Sequence, residues 1–267
     1  MIPFLHVWGL AIPTFGLMVA LAMIAAFYVL RADLARRGMA STESGIGEYF
    51  ITIPCLAGII GARLYHALQS PAELIANPWG ELFSRYGFAW FGGLIGGFAA
   101  YVGVARWKKI PLLAALDAGS PAAALGYGIG RIGCLLSGDG DYGVPTSLPW
   151  GMSFPDGLVP TTDRVHPTPI YEFLAACIIA WILWRLGTRQ IRFSREGGET
   201  QSAGIGIVFA AYLVLTGAER FLVEFIRINP RVILGMSNAQ AASLLSMLAG
   251  AMLWWWIHKR ERDTKSV

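Results

Sequence analysis

Three arginines, Arg131, Arg220 and Arg227, lie within or at the ends of apolar runs long enough to cross a bilayer. An arginine at the centre of a membrane span costs roughly 2.5–3.5 kcal/mol on insertion scales, so each requires a partner. The carboxylates nearby in sequence are Glu172, Glu219, Glu224 and the acidic stretch after Arg131. Arginine in excess of local carboxylate implies that a ligand supplies the missing anion, and phosphate suits the forked guanidinium. Arg220, Glu224 and Arg227 are spaced i, i+4 and i+7, which stacks them on one face of a helix. There Glu224 can hold one arginine while the other presents donors to an anion. A salt-bridged helix end reaching for the membrane interface would use the same spacing.

The run from Gly126 to Gly143 places seven glycines around Arg131. Glycine admits positive φ and lets backbone approach a neighbour closely. Alone, the glycines indicate a close-packed helix leading into an irregular loop; with Arg131 among them, Gly130 and Gly133 become candidate walls of a phosphate or headgroup pocket. Asp139 and Asp141 do not open a calcium loop, because the twelfth position counted from Asp139 is Trp150 where that motif needs Glu. His166-Pro167-Thr168-Pro169-Ile170-Tyr171-Glu172 begins another apolar run, with prolines that suit a helix start. Within it Tyr171 reads as an interfacial aromatic, Glu172 as a helix-start carboxylate and His166 as a candidate base. Cys55, Cys134 and Cys177 are odd in number and lack ligand spacing, which argues against a disulfide framework or a zinc site. Cys134 reads as a small packing residue. No metal and no cofactor is expected.

The elements that must position these groups are membrane helices. The chain of 267 residues is 55% hydrophobic and 14% charged, against about a quarter charged in soluble domains. The expected class is therefore all-α, a polytopic integral membrane protein. Windows of the length needed to cross hydrocarbon fall at seven places, 11–30, 46–68, 87–106, 112–137, 168–186, 203–226 and 237–257. Pro121 and the glycines are expected to bend or break the fourth.

The net charge of +4 resides in short connections, so it reports topology rather than nucleic-acid binding. One alternate set of connections carries fourteen Lys and Arg, the other only Arg85, Arg164, Arg227 and Arg231. The positive-inside rule then starts the chain outside and ends it in the cytoplasm. The whole of 1–267 is expected to form one transmembrane domain, with an outside loop at 138–167 and a basic cytoplasmic tail at 258–267. Arg63, His66, Arg131, Arg220, Glu224 and Arg227 then gather near the outer ends of even-numbered spans. Thr14, Phe91-Gly92-Gly93, Tyr171 and Glu172 join them from odd-numbered spans. Glu48 and Asp117 fall toward the cytoplasm and are expected to be structural. The first run lacks a preceding Lys or Arg and is followed by Arg31, so it reads as a span and not as a cleavable signal. The Trp254-Trp255-Trp256 run before the basic tail reads as an interface anchor. Polar residues gathered at one side, without an inverted repeat, argue against a solute transporter.

Together these segments resemble the prolipoprotein diacylglyceryl transferase family of bacterial inner membranes. The resemblance is carried by Gly130-Arg131-Ile132-Gly133, Gly92-Gly93-Leu94-Ile95-Gly96, His166-Pro167 through Tyr171-Glu172, and Arg220-Phe221-Leu222-Val223-Glu224-Phe225-Ile226-Arg227. Met236-Ser237-Asn238-Ala239-Gln240 is similar to the family's Met-Gly-Gln segment, and Thr14-Phe15-Gly16-Leu17-Met18 to its Trp-Tyr-Gly-Leu-Met. The chain departs at four places. Phe91 stands where the family has the histidine of His-Gly-Gly-Leu-Ile-Gly, and Cys134 where it has an asparagine. Ser137-Gly138-Asp139 replaces Asn-Gly-Glu, and Phe15 replaces the tyrosine of the first helix.

The resemblance implies transfer of the sn-1,2-diacylglyceryl group from phosphatidylglycerol to the lipobox cysteine thiol of a preprolipoprotein signal peptide. A thioether forms and glycerol 1-phosphate leaves. The expected partners are phosphatidylglycerol, the signal peptide and membrane lipids, without nucleic acid or cofactor, and the active region faces the outer leaflet. Attack at a carbon bearing phosphate chiefly needs positive charge on the leaving group. The expected clamp is Arg131 and Arg220, with Glu224 orienting Arg220 and Arg227 assisting. Gly92, Gly93, Gly130, Gly133, Tyr171, Glu172, Arg63 and His66 are the expected substrate contacts. The acceptor thiol, with an ordinary pKa of about 8.5, must attack as thiolate. With Phe91 in the histidine's place, His66, His166 and Asp139 are the candidate proton acceptors. The departures also leave room for a related transferase with another acceptor, and for an inactive homologue that only binds or moves lipid.

Overall fold

The computed structural model describes residues 2–7, 10–39, 45–83, 89–196, 204–232 and 235–265. Arg85, counted for the topology, and positions 266–267 of the tail lie outside them. The apolar runs fold as helices: α1 (Thr14–Arg36), α2 (Ile46–Gln69), α5 (Trp90–Trp107), α6 (Leu112–Ser137), α7 (Thr168–Glu196), α8 (Ile207–Val223) and α9 (Asn238–Lys265). Two single-turn-scale helices, α3 (Pro71–Ala76) and α4 (Pro78–Phe83), link α2 to α5. Among the described residues five helices, α1, α2, α6, α7 and α9, are long and apolar enough to cross a membrane. The protein is thus a mostly helical membrane protein. Leu21 and Ile24 on α1, Ile59 and Ile60 on α2, and Leu245 and Leu248 on α9 are exposed, as a lipid-facing surface requires. Half of the apolar window of α6 is buried, against 11% to 28% in the other four.

Several boundaries differ from the sequence expectation for local reasons. The first span begins at Thr14 rather than 11, because β1 (Phe4–Val7) and β2 (Leu10–Pro13) pair as an antiparallel hairpin before it. Pro13 lacks an amide to extend the ladder, and the amide and hydroxyl of Thr14 both donate to the Pro3 carbonyl at 3.0 Å. Pro121 does not break the fourth span: α6 is one helix from Leu112 to Ser137. The prolines at the first positions of α3 and α4 sit where a helix needs no amide donor. Both helices are too short to register as spans, and both lack buried residues.

The chain divides into two compact units, Met1–Asp33 with Leu116–Val267, and Leu34–Ala115. In the smaller unit α2 packs on α5 through glycine. A side chain on Gly92 would run into the Gly61 carbonyl, and one on Gly96 would lie 2.5 Å from the Ala57 carbonyl. Arg63 is buried in this unit, with Nε donating to the Leu82 carbonyl at 3.2 Å and Nη2 3.6 Å from Glu81. It thereby fastens α4 to α2.

In the larger unit α6, α7 and α8 pack together through Ala124, Ile179, Leu183, Val208 and Ala211. Asp117, fully buried on α6, accepts the amides of Gly206 and Phe209 at 2.8 Å each and the Gln190 amide at 3.1 Å. It caps α8 from another helix, satisfying donors that α8 leaves open at its N-terminus. At α9, Ser237 and Gln240 form a capping box: the Gln240 amide donates to Ser237 Oγ at 3.2 Å, and the Ser237 amide to Gln240 Oε1 at 3.1 Å. Between α6 and α7, β3 (Met152–Phe154) and β4 (Thr161–Val165) pair antiparallel over a small core of Tyr142, Phe154 and Val165. The two hairpins are the β-structure that an all-α reading leaves out.

Asp117→Ala strips two buried amides of their acceptor. It is expected to cost about 2–4 kcal/mol, read as a lowered midpoint in thermal unfolding of detergent-solubilised protein. An unchanged midpoint would mean that α8 is capped by other means.

Candidate active site

Helix α6 ends in a backbone that is held on every side. Gly138 adopts φ 59° and returns its amide to the Cys134 carbonyl at 2.9 Å, a left-handed C-terminal stop. The carbonyls of Leu136, Ser137 and Gly138 accept from Ile2, Leu158 and Val159 at 3.1, 2.9 and 2.8 Å. Gly140, at φ 92°, continues the reversal, and Asp141 comes back beside Arg131. The next residues stitch three chain segments together. The amide of Gly143 donates to the His166 carbonyl at 2.8 Å and that of Val144 to the Ile226 carbonyl at 2.8 Å. Thr168 Oγ1 donates to the Asp141 carbonyl at 2.5 Å. Gly143 has no room for a side chain, which would crowd the Ile226 backbone, His166 and Thr168. The end of α6, the start of α7 and the end of α8 are thus fixed at one place.

At that place all three arginines converge on Glu172, whose side chain is fully buried. Arg131 donates to Oε2 through Nε at 2.8 Å and Nη2 at 2.5 Å. Arg220 Nη1 reaches Oε1 at 3.3 Å and Arg227 Nη1 reaches Oε2 at 3.4 Å. The Tyr127 hydroxyl donates to Oε1 at 2.9 Å. Asp141 takes Arg131 Nη1 on Oδ2 at 2.6 Å and Arg227 Nη2 on Oδ1. Glu224 lies 2.9 Å from Arg220 Nη2 and 3.7 Å from Arg227 Nε, and its other oxygen accepts from Asn229 at 2.8 Å. The side-chain exposures are 6% for Arg227, 13% for Arg131 and 26% for Arg220. Arg220 is therefore the arginine best placed to meet a ligand.

Two expectations change here. Arginine does not exceed carboxylate, because Glu172, Asp141 and Glu224 already engage all three guanidinium groups. An anion must exchange into this network rather than fill a deficit. Nor do Arg220, Glu224 and Arg227 share one helix. Helix α8 ends at Val223, Glu224–Ile226 tighten into a 3-10 turn, and Arg227 is extended at φ −83°, ψ 157°. Arg227 reaches the network because its backbone bridges to Gly143.

Burial raises the Asp139 carboxyl, with the charge of Asp141 adding, against the pull of the Cys134 thiol, the Asp141 amide and Arg131. Burial also pushes Asp141 upward, but Arg131 and Arg227 reverse it and hold it below the usual carboxylate range. Cys134 is buried with Sγ 3.5 Å from Arg131 Nη1. Cys134, Asp139 and Asp141 bring their ligand atoms within 4.8 Å of one another. Both oxygens of Asp141 are taken by guanidinium groups, so the trio reads as part of the arginine network and not as a metal centre.

His166 Nδ1 lies 3.3 Å from the Tyr171 hydroxyl, which also accepts from Trp150 Nε1 at 2.8 Å. This is an orienting partner that the sequence did not reveal. Gly133 lets α6 approach Phe15 and Met18 of α1, whereas Gly130 borders open space. Arg63, His66, Gly92 and Gly93 belong to the smaller unit, where Gly92 serves helix packing. Sequence reasoning misses Tyr127 and Asn229, and it offers the acidic stretch after Arg131 as a partner without singling out Asp141. Tyr127 alone had a local signal, lying four residues before Arg131 on one face of α6.

The family whose profile matches residues 3–256 is described as prolipoprotein diacylglyceryl transferase. Among named relatives, the phosphatidylglycerol–prolipoprotein diacylglyceryl transferase of Clostridium tetani is 32% identical over 250 residues, covering 92% of this chain and 93% of its own. That of Geobacter sulfurreducens is 34% identical over 227 residues, 83% of this chain and 80% of its own. That of Parasynechococcus marenigrum is 28% identical over 278 residues, 98% and 95% of the two chains. With the profile spanning nearly its whole length and full-length relatives above 30% identity, this chain belongs to the prolipoprotein diacylglyceryl transferase family.

Proposed function

We propose that this protein transfers the diacylglyceryl group of phosphatidylglycerol to the lipobox cysteine of a preprolipoprotein. The observation that carries the mechanism is the convergence of Arg131, Arg220 and Arg227 on buried Glu172, with Arg220 the most exposed. The phosphodiester exchanges for part of the carboxylate pairing of Arg220, while Glu224 keeps that guanidinium oriented. Arg131 joins it in holding the phosphate, and Arg227 maintains the field. The thiolate attacks the glycerol carbon that bears the phosphate, a carbon–sulfur bond forms, and the carbon–oxygen bond breaks with its electron pair on the phosphate. Glycerol 1-phosphate departs against the arginines, whose preorganised charge is worth more in a dry site than in water.

The same reading gives the membrane arrangement. The shorter helices α5 and α8, of 18 and 17 residues, add two spans to the five long ones. Positive-inside charge then sets the start outside, the loop at 138–167 outside and the basic tail in the cytoplasm of a bacterial inner membrane. The arginine cluster lies toward the outer leaflet, where the phospholipid headgroup and the lipobox of a translocated peptide both arrive. A second acceptor class is favoured by one observation, that Phe91, Cys134 and Ser137-Gly138-Asp139 depart from the family pattern.

Purified protein given phosphatidylglycerol and a lipobox peptide is expected to add a diacylglyceryl mass to the peptide and to release glycerol phosphate. Arg131→Ala and Arg220→Ala are each expected to slow this by at least about 10²–10³-fold, the cost of losing a preorganised donor. Glycerol phosphate release without peptide modification would favour the second acceptor, and variants at wild-type rate would remove the clamp. Glu172→Gln leaves three arginines short of their shared carboxylate, and a loss of about 3 kcal/mol or more is expected in thermal unfolding.

Asp139 gives a test with a defined sign. Its folded carboxyl is held above the ordinary value, so its ionisation opposes folding above the unfolded value of about 3.9. Asp139→Asn is expected to unfold at a higher temperature than wild type at pH 7. The difference should vanish near pH 3, where both states are protonated. A difference independent of pH would contradict the assigned environment.

A further inference from the structure

Glu219, on α8 beside Arg220, is the carboxylate that the arginine network leaves over. Its Oε1 is buried and has no hydrogen-bond partner among the described residues. The other carboxylate oxygens of the cluster face named groups: both oxygens of Glu172 and Asp141 accept from arginine or tyrosine, and both of Glu224 face Arg220, Arg227 or Asn229. The groups that act electrostatically on Glu219 are Arg131 from α6, Glu172 from α7, Arg220 from its own helix, and Arg227. Tyr127 on α6 interacts with it in turn. Helix α9, packed along α8, brings Ser243 and Met247 to this end at Gly217, and its first ionisable residue is the distant His258. A buried acceptor without a donor costs about 1–3 kcal/mol. A ligand that donates a hydrogen to it recovers that loss.

We propose that Glu219 is the proton acceptor for the incoming thiol. The assignment rests on the transferase reading above and deepens it. Successive helix residues diverge by about 100°, so Arg220 addresses the phosphate while Glu219 addresses a different side of the reacting carbon. The step balances. The S–H proton passes to Glu219 Oε1, the sulfur electron pair forms the bond to the glycerol carbon, and the carbon–oxygen pair leaves on the phosphate. One proton per turnover is then released from Glu219 to water or to the phosphate monoester. An anion entering the arginine cluster and a proton arriving at one of its carboxylates offset each other in charge, so donor binding and proton uptake support one another. Two other candidates in this unit each have one atom engaged: Asp139 Oδ1 takes the Asp141 amide, and His166 Nδ1 faces Tyr171.

The experiment compares wild type, Glu219→Gln and Glu219→Asp on phosphatidylglycerol with two lipobox peptides, one bearing cysteine and the other selenocysteine. A selenol ionises at neutral pH without help, so it no longer needs a base. Glu219→Gln is expected to be at least about 10²-fold slower than wild type on the cysteine peptide and to lose the rise of rate with pH. On the selenocysteine peptide it should return to within about threefold of wild type, because base assistance is no longer needed. Glu219→Asp should recover part of the cysteine rate. Wild-type rates in Glu219→Gln on cysteine, or equal slowing on both peptides, would overturn the assignment while leaving the transferase reading intact. A wild-type protein that modifies neither peptide would remove the transferase reading and this assignment together.

Discussion

A fully buried carboxylate, Glu172, sets the terms for the larger unit. Taking one charge out of water costs several kcal/mol even after relaxation, and the attraction of its partners offsets this only when geometry and hydrogen bonding are complete. Glu172 meets that demand with three guanidinium groups and a phenol, drawn from α6, from α8 and from the segment after it. Those elements cannot shift independently without leaving a charge unpaired. The devices around the cluster follow from this constraint. The left-handed turn at Gly138, the crowded Gly143 and the bridge to Arg227 all hold irregular backbone in fixed positions near a helix bundle, where unpaired amides would be costly.

The balance of charge changes how an anion can bind. Three arginines surrounded by unpaired space would form an electrostatic sink; three arginines already shared among Glu172, Asp141 and Glu224 form a switchable lattice. In the transfer proposed above, a phosphodiester would replace one bond set by another, and the arginine that gives up least is the one with the loosest geometry and greatest exposure. Arg220 fits both conditions, at 3.3 Å from Glu172 and 26% exposed. Arg131, held by three short contacts to Glu172 and Asp141, supplies position more than mobility. Under the same proposal exchange would also favour release, since the carboxylates would reclaim Arg220 as the phosphate monoester departs.

The sequence made the charged cast legible, because arginine inside an apolar run is too costly to be incidental. It also exposed the helices, since apolar runs of spanning length are a local pattern; the capping box of Ser237 and Gln240 is equally local, yet the segment was read only for its family likeness. What it could not expose depended on where the chain turns. The i, i+4, i+7 spacing of Arg220, Glu224 and Arg227 correctly grouped three residues but by the wrong geometry, because nothing local announces that α8 stops at Val223. Asp141 was visible as part of the acidic stretch after Arg131 and as half of a failed calcium pattern; that it is the member paired with Arg131 and Arg227 arises from two glycine-led reversals. Gly92 was read as a substrate contact, while its packing against Gly61 depends on the crossing of α2 and α5, which no single-chain periodicity encodes.

Phe91 brings the chemistry into focus. It stands on the first turn of α5, 62% exposed and incapable of taking a proton. A transfer from phosphate to thiol makes two unequal demands: the leaving group needs strong positive charge, and the nucleophile needs only to lose one proton from a group that ionises near neutrality. The first demand ties the arginines to a rigid lattice, because a displaced guanidinium loses its effect steeply in a medium of low dielectric. The second can be met by any acceptor that reaches the thiol. A catalyst of this kind can therefore change the residue that handles the proton while its arginine lattice stays fixed, and the proposed acceptor Glu219 is a carboxylate with one buried oxygen free of hydrogen bonds to that lattice.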